Sequence, residues 1–398
     1  MRPLFQTPFR PFFLVGLLYA TLSMGMWTTT LLIPTGWPLV PMLDGSPIFP
    51  VFWHAHEMIF GFCAAIGVGF LFTAAGNWFG KPLLTPHKTR FLLAMWLLGR
   101  LAVALVGALP PLLVSLLHGL FPLFALIWLA PSLARSTNSW HHHVLWTLGF
   151  FLFFQMLSLP IALELFSAPW ATSGPKLGTM ALLLVASVVG GRIIPVFTIN
   201  WLNAQHGKEL TYSPIPWLEQ ATLLLSLLVL AGLLLNFHIG LQTILLTLAG
   251  VAHMARMARW RGIQTGRAPI VWIMHLGYLS IPSGFLALAW VGQQDPTLSL
   301  TVWHIWTIGL GGLLLVGILT RVGLGHTGRP IHAHPLTVAA YLLLFSTLLI
   351  RSIWPLFDSD HLHESYWISG LLWVTAMLPL LWIYIPLMIK ARADGKAG

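Results

Sequence analysis

Charge is what this chain lacks. Aspartate and glutamate number ten and lysine and arginine 20, so charged residues make up 8% of 398. Soluble globular domains carry about 25%, and the deficit excludes a soluble protein. The single cysteine, Cys63, excludes an intrachain disulfide and any cysteine-rich zinc or iron–sulfur centre. A phosphate-binding glycine loop, a Gly-x-Ser-x-Gly nucleophile turn and a His-Glu-x-x-His zinc helix are all missing. No stretch is polar or low-complexity enough to make a separate soluble domain.

What the chain has is apolar length. Hydrophobic residues make up 57% of it, mean hydropathy is +0.83, and 20 Trp and 24 Phe suit aromatic belts at a lipid interface. A window of about 20 residues predicts twelve spans, near 11–33, 54–79, 90–109, 111–131, 142–167, 177–200, 217–235, 237–258, 269–291, 303–324, 335–357 and 366–389. The first run is too long for a signal-peptide core and reads as a retained anchor. The expected fold is all-α: a polytopic membrane helix bundle, with residues 1–398 forming one membrane domain. Tight hairpins are expected at Pro110-Pro111 and Leu235-Asn236-Phe237.

The few cations are unevenly placed. Sixteen of the 20 fall in the terminal segments and in every second connection, while the alternate connections hold Lys176 with Asp44, Asp295, Asp358, Asp360 and Glu364. By the positive-inside rule both termini are cytoplasmic. The net charge of +10 is then a topology signal, and no nucleic-acid partner is implied.

Histidine in lipid is uncommon, and imidazole is a common ligand of haem iron and copper. Trp53-His54-Ala55-His56-Glu57 opens the second span and Trp303-His304 opens the tenth. Both spans start from the outer side, so His54 and His304 share a depth and are candidate ligands of one cofactor. At helical spacing His54 and Glu57 share a face while His56 points away, which gives His56 a separate metal-ligand role and Glu57 a supporting one. His326, closing the tenth span, lies roughly 33 Å from His304 along a helix and belongs to a second, inner metal site. His253 and His275, near Met254, Met257 and Met274, form a possible copper(I) site. His118 reads as a lone buried histidine, and His141 to His143 as solvated.

Three arginines sit inside spans, and Arg351 is close enough to the outer end of its span to snorkel. Arg100 is mid-span and needs an anionic partner, for which Glu57, Glu164 or a cofactor carboxylate are candidates. Arg192, in Gly190-Gly191-Arg192-Ile-Ile-Pro195, is a candidate clamp for a carboxylate or another anion. The adjacent glycines permit close helix approach, and Pro195 is expected to disturb its helix. A faint internal echo links Trp53-His54 to Gly80-Lys81-Pro82 with Trp303-His304 to Gly328-Arg329-Pro330.

These segments resemble the NnrS family of bacterial membrane proteins. The likeness rests on Phe9-Arg10-Pro11-Phe12-Phe13, Trp53-His-Ala-His-Glu-Met58 with Phe60-Gly61-Phe62, and Asn77-Trp78-Phe79-Gly80-Lys81-Pro82. Gly191-Arg192-Ile-Ile-Pro195-Val-Phe197 and Thr320-Arg-Val-Gly-Leu-Gly-His-Thr-Gly-Arg329 complete it. The resemblance implies a twelve-span inner-membrane protein that binds haem, expected as b-type, and copper. It also implies a link to nitric oxide stress and denitrification. Ligand assignments do not come with it. His54-Ala-His-Glu-Met-Ile-Phe60 is also similar to a stretch of haem–copper oxidases and nitric oxide reductases, but their His-x-His in span ten and their His-Pro-Glu in span six are missing.

Three readings follow. The first is a protein that binds or turns over nitric oxide at a histidine-ligated haem near the outer face, with Arg100 and Arg192 offsetting carboxylate charge. The second is a transporter of an anion or metal complex along a path lined by those arginines. The third is a sensor without turnover. Oligomeric state is not legible from the residues.

Overall fold

The structure is a computed structural model that describes residues 3–33, 50–165, 174–207, 209–291 and 296–396. Arg2, Asp44, Lys208 and Asp295, all used in the charge reading, lie outside the described residues. Among the described residues, twelve long helices follow one another: α1 Phe9–Leu32, α2 Pro50–Trp78, α3 Pro86–Ala104, α4 Pro111–Ala134, α5 Ser139–Ala162 and α6 Gly174–His206. Then come α7 Pro216–Leu235, α8 Ile239–Ala258, α9 Pro269–Val291, α10 Leu298–His326, α11 Pro335–Phe357 and α12 Leu362–Ile389. Among the described residues, all except α3 are long and apolar enough to cross a membrane, which makes 11. The 19 residues of α3 carry Lys88, Arg90 and Arg100.

The helix starts follow from local chemistry. Thr85 accepts from the Lys88 amide at 3.3 Å ahead of Pro86, and Asn138 accepts from the Trp140 amide at 3.1 Å, each satisfying a donor left over at a helix N-terminus. Pro111, Pro216 and Pro335 open their helices at the position where a missing N–H costs nothing. Of the two hairpins, the second occurs as expected: Asn236, in the left-handed region at φ 53°, closes α7. At the first, α3 stops at Ala104, five residues before the expected end, and turns through 105–109 before Pro110. Pro195 does not break α6, which runs unbroken for 33 residues.

The first helix meets the end of the last. The buried Arg10 guanidinium donates to the carbonyls of Leu387, Met388 and Lys390 at 3.4, 3.0 and 2.6 Å, satisfying acceptors left over at the C-terminus of α12. Helix α1 packs along α12 and α2. The C-terminal segment is pinned to the end of α10: Arg392 donates to the His326 carbonyl at 2.8 Å and Ala393 N–H to Thr327 O at 2.9 Å. The hydrogen bond from Arg392 holds the Asp394 carboxyl at about 2. The Arg392–Asp394 pair is therefore charged at neutral pH and is lost only as pH falls through that low value, while the two bonds to the end of α10 do not depend on it. We call this the terminal end of the bundle; His54 and His304 lie at the opposite end.

Helices α2 and α10 share a feature that a regular helical period hides. Each is interrupted by a π-helical stretch, Glu57–Cys63 and Ile308–Leu315, and the two stretches pack against each other. Each helix then ends at a glycine in the left-handed region, Gly80 at φ 65° and Gly328 at φ 70°. The sequence echo between these spans is thus an echo of structure. Helix α9 packs on the π stretch of α10 so closely that a Cβ on Gly277 would collide with the Leu314 backbone. Gly277→Ala should lower stability by about 1–3 kcal/mol, the range for overpacked interiors. Thermal unfolding in detergent checks this, and an unchanged midpoint would mean α9 can move aside.

Candidate functional site

Two residue clusters and a second cavity carry the polar chemistry. At the opposite end, α1, α2, α10, α11 and α12 enclose a cavity of about 280 Å³ whose lining includes His54, His304, Arg351, Tyr366, Met24, Met58 and Cys63. His54 and His304, chosen from sequence by depth alone, therefore face one cavity.

Their surroundings differ. The His54 ring stacks on Trp27, with centroids 4.6 Å apart and planes at 15°, and its buried Nδ1 has no hydrogen-bond partner among the described residues. His304 donates Nδ1–H to the Leu300 carbonyl at 2.8 Å, one turn earlier. That bond fixes the tautomer and leaves Nε2 as the nitrogen with a free lone pair. A ligating histidine is commonly oriented in this way. Arg351, read from sequence as a snorkelling cation, lies 4.1 Å from the Tyr366 ring centroid. Its buried Nη1 has no partner among the described residues. The cavity thus combines two imidazoles, an arginine and three sulfur side chains on an apolar wall.

The second cluster lies behind His54. His56 and Glu57 do not enter that cavity. Glu57 accepts from Arg100 Nη1 at 2.6 Å on both carboxylate oxygens, from Tyr19 through a short hydrogen bond, and from His56 Nδ1–H at 2.6 Å. Arg100 also donates to His118 Nδ1 at 2.7 Å, and His118 donates Nε2–H to the Gln155 carbonyl at 3.0 Å. The anionic partner expected for Arg100 is therefore Glu57, and His118 is a member of the network and not a lone histidine. The His56 and His118 ring centroids are 4.8 Å apart, and His56 Nε2 is buried without a partner among the described residues.

The π-helical stretch explains how these side chains are held. Widening the helix frees backbone carbonyls from their usual partners. Gln155 Nε2 donates to Phe60 O at 3.2 Å and Trp96 Nε1 to Gly61 O at 3.0 Å, from α5 and α3. The network is sealed by protein on all sides: Glu57, His56 and His118 are fully buried.

The remaining candidates lie elsewhere. Arg192 lines a larger cavity of about 450 Å³ together with Trp140, His143, Tyr212, Glu219, Gln220 and Arg256, and it shares no wall with His54 or His304. A Cβ on Gly191 would run into the Arg256 guanidinium, so this glycine makes room for a side chain as well as for a helix. His253 spends both ring nitrogens on protein partners, Tyr278 at 2.9 Å and Ser226 at 3.0 Å. His275 meets Thr198 at 2.8 Å through Nε2. His326, at the terminal end, packs on the Phe9 ring at 5.6 Å. His141 is buried against Trp78 and Phe79, not solvated. Among the described residues, no three His, Cys, Asp or Glu side chains converge as a metal cluster.

Comparison with known proteins agrees with this architecture. No curated protein matches the chain. The sequence profile of the family described as NnrS protein matches residues 3–392, which takes in all twelve described helices, His54 and His304 among their residues. The chain belongs to the NnrS family.

Proposed function

We propose that this protein is a haem- and copper-binding membrane protein of the nitric oxide response. In this reading it forms one membrane domain with both termini in the cytoplasm, and haem sits in the cavity that carries His54 and His304. The observation that carries this reading is that two imidazoles from different helices line one cavity in which buried polar atoms lack partners. His304, with Nδ1–H committed to Leu300, offers Nε2 as a ligand. His54, braced on Trp27, supplies the second nitrogen. The unpartnered Nη1 of Arg351 suits a haem carboxylate, which would offset a buried cation. These residues fit the group. Met24, Met58 and Cys63 on the same wall are the soft donors that suit copper(I).

Bound haem would supply an iron centre with affinity for nitric oxide. The protein's own contribution is position and dryness. Lipid-side access suits a small apolar ligand, and the mostly apolar lining excludes competing water. Glu57 is saturated by Arg100, Tyr19 and His56, so it holds the second helix in register and is not free to pass protons. The network does not favour a transport path through Arg100, which is closed off by Glu57 and His118.

Purified protein in detergent should carry iron and copper and show a Soret band that shifts when nitric oxide is added. Under reducing conditions the nitric oxide signal at an electrode should fall. A shift without disappearance would assign a sensor, and absence of a Soret band and of both metals would overturn the proposal.

A further inference from the structure

The larger cavity takes no part in that reading. It opens between α5, α6, α7 and α8 toward the terminal end, and its walls are of two kinds. One is aliphatic and faces outward: Val196 is 43% exposed and Leu224 57%, with Leu223 and Leu227 beside them. The other is polar and holds Arg192, His143, Gln220 and Tyr212.

Two arginines reach this cavity, and only one is neutralised. Arg256 is paired with the Glu219 carboxylate and also donates to Ser187 O and Tyr278 Oη, both at 2.9 Å. Arg192 forms no ion pair among the described residues. Its guanidinium lies 4.7 Å from the Trp140 ring centroid. That indole is itself fixed, donating Nε1–H to Val188 O at 3.3 Å and meeting Trp78 edge-on at 4.8 Å. An arginine stacked on a rigid ring keeps its edge N–H groups free as a fork, the geometry that grips phosphate oxygens in pairs.

We propose that this cavity binds the headgroup of an anionic phospholipid, with phosphate on Arg192 and an acyl chain along Val196, Leu223, Leu224 and Leu227. Charge decides for an anion, because one positive charge remains after Glu219 is counted against Arg256. The outward aliphatic wall decides for a lipid over a free anion, since a soluble phosphate would leave those leucines uncovered. Basic pockets between spans near the membrane surface are known to take phospholipid headgroups. The proposal does not depend on the cofactor reading.

The test is native mass spectrometry of the full chain in detergent, titrated with phosphatidylglycerol or with phosphatidylcholine of the same acyl chains. Wild type should retain phosphatidylglycerol about tenfold better, the scale of a charge-assisted contact. Arg192→Gln should abolish that preference, and Arg192→Lys should recover part of it through charge without the fork. Leu224→Trp, on the exposed wall, should weaken retention with Arg192 intact, which guards against misfolding of the arginine variants. Equal retention of the two lipids by wild type, or an undiminished preference in Arg192→Gln, would overturn the proposal. So would displacement of the lipid by inorganic phosphate, which would make the site one for soluble anions. Loss of bound iron in Arg192→Gln would transfer the site to a haem carboxylate and also overturn it.

Discussion

His54→Ala and His304→Ala are each expected to strip the purified protein of most of its haem. Both imidazoles line one cavity, from helices α2 and α10, and among the described residues its lining holds no third histidine to replace the one removed. Outer partners of metal ligands alone are worth about 10–100-fold in affinity. Removal of a ligand should cost at least as much. Iron per protein and the Soret absorbance, measured after size-exclusion chromatography, read the effect. Arg351→Gln should cost less, because it removes a carboxylate contact and not a ligand. Copper retention in the same samples separates the two metals: loss of haem with copper kept would locate copper on the sulfur side chains. Wild-type iron content in both alanine variants would remove haem from this cavity.

Glu57→Ala should be the most destabilising single change in the bundle. It leaves Arg100 buried with its main anionic partner gone, and breaking a buried pair in this way costs about 3–5 kcal/mol. Tyr19 and His56 lose their acceptor at the same stroke. The expected result is a chain that accumulates poorly and unfolds early in detergent. Arg100→Leu combined with Glu57→Leu should recover much of the loss, because an apolar pair of similar size carries no uncompensated charge. A double variant as unstable as Glu57→Ala would place the cost in packing and in the orphaned Tyr19 and His56 groups, and not in the buried charge. A Glu57→Ala protein of normal stability that lost haem would instead make the carboxylate part of the cofactor site.

The spans were legible in sequence because membrane insertion depends on apolar length, which a window reads directly. The depth of His54 and His304 was legible for the same reason. Their convergence on one cavity needed the three-dimensional path of α2 and α10, although equal depth had already singled out these two. The assignment of Arg100 was half legible: an anionic partner was required, and Glu57 was among those named. Arg351 was missed. Its place near a span end suggested escape to the headgroups, whereas Tyr366 and the cavity wall hold it inward. His118 and His141 were misread because a lone histidine in sequence shows neither the neighbouring Arg100 nor the Trp78 face. The π-helical stretches left no trace in the pattern of apolar residues, since from Met58 to Cys63 and from Ile308 to Leu315 no polar side chain marks how the helix is wound. Only Gln155 and Trp96, polar tips inside apolar spans, hinted that carbonyls elsewhere were waiting for donors.

The arginine near the start of the chain that caps the last helix ties the first and last spans together on one side of the bundle. A reporter fused to either end must therefore sit in the same compartment, whichever one that is. The short gap also suits circular permutation: a linker joining old head to old tail, with new ends opened in an exposed connection, should yield a protein that still inserts.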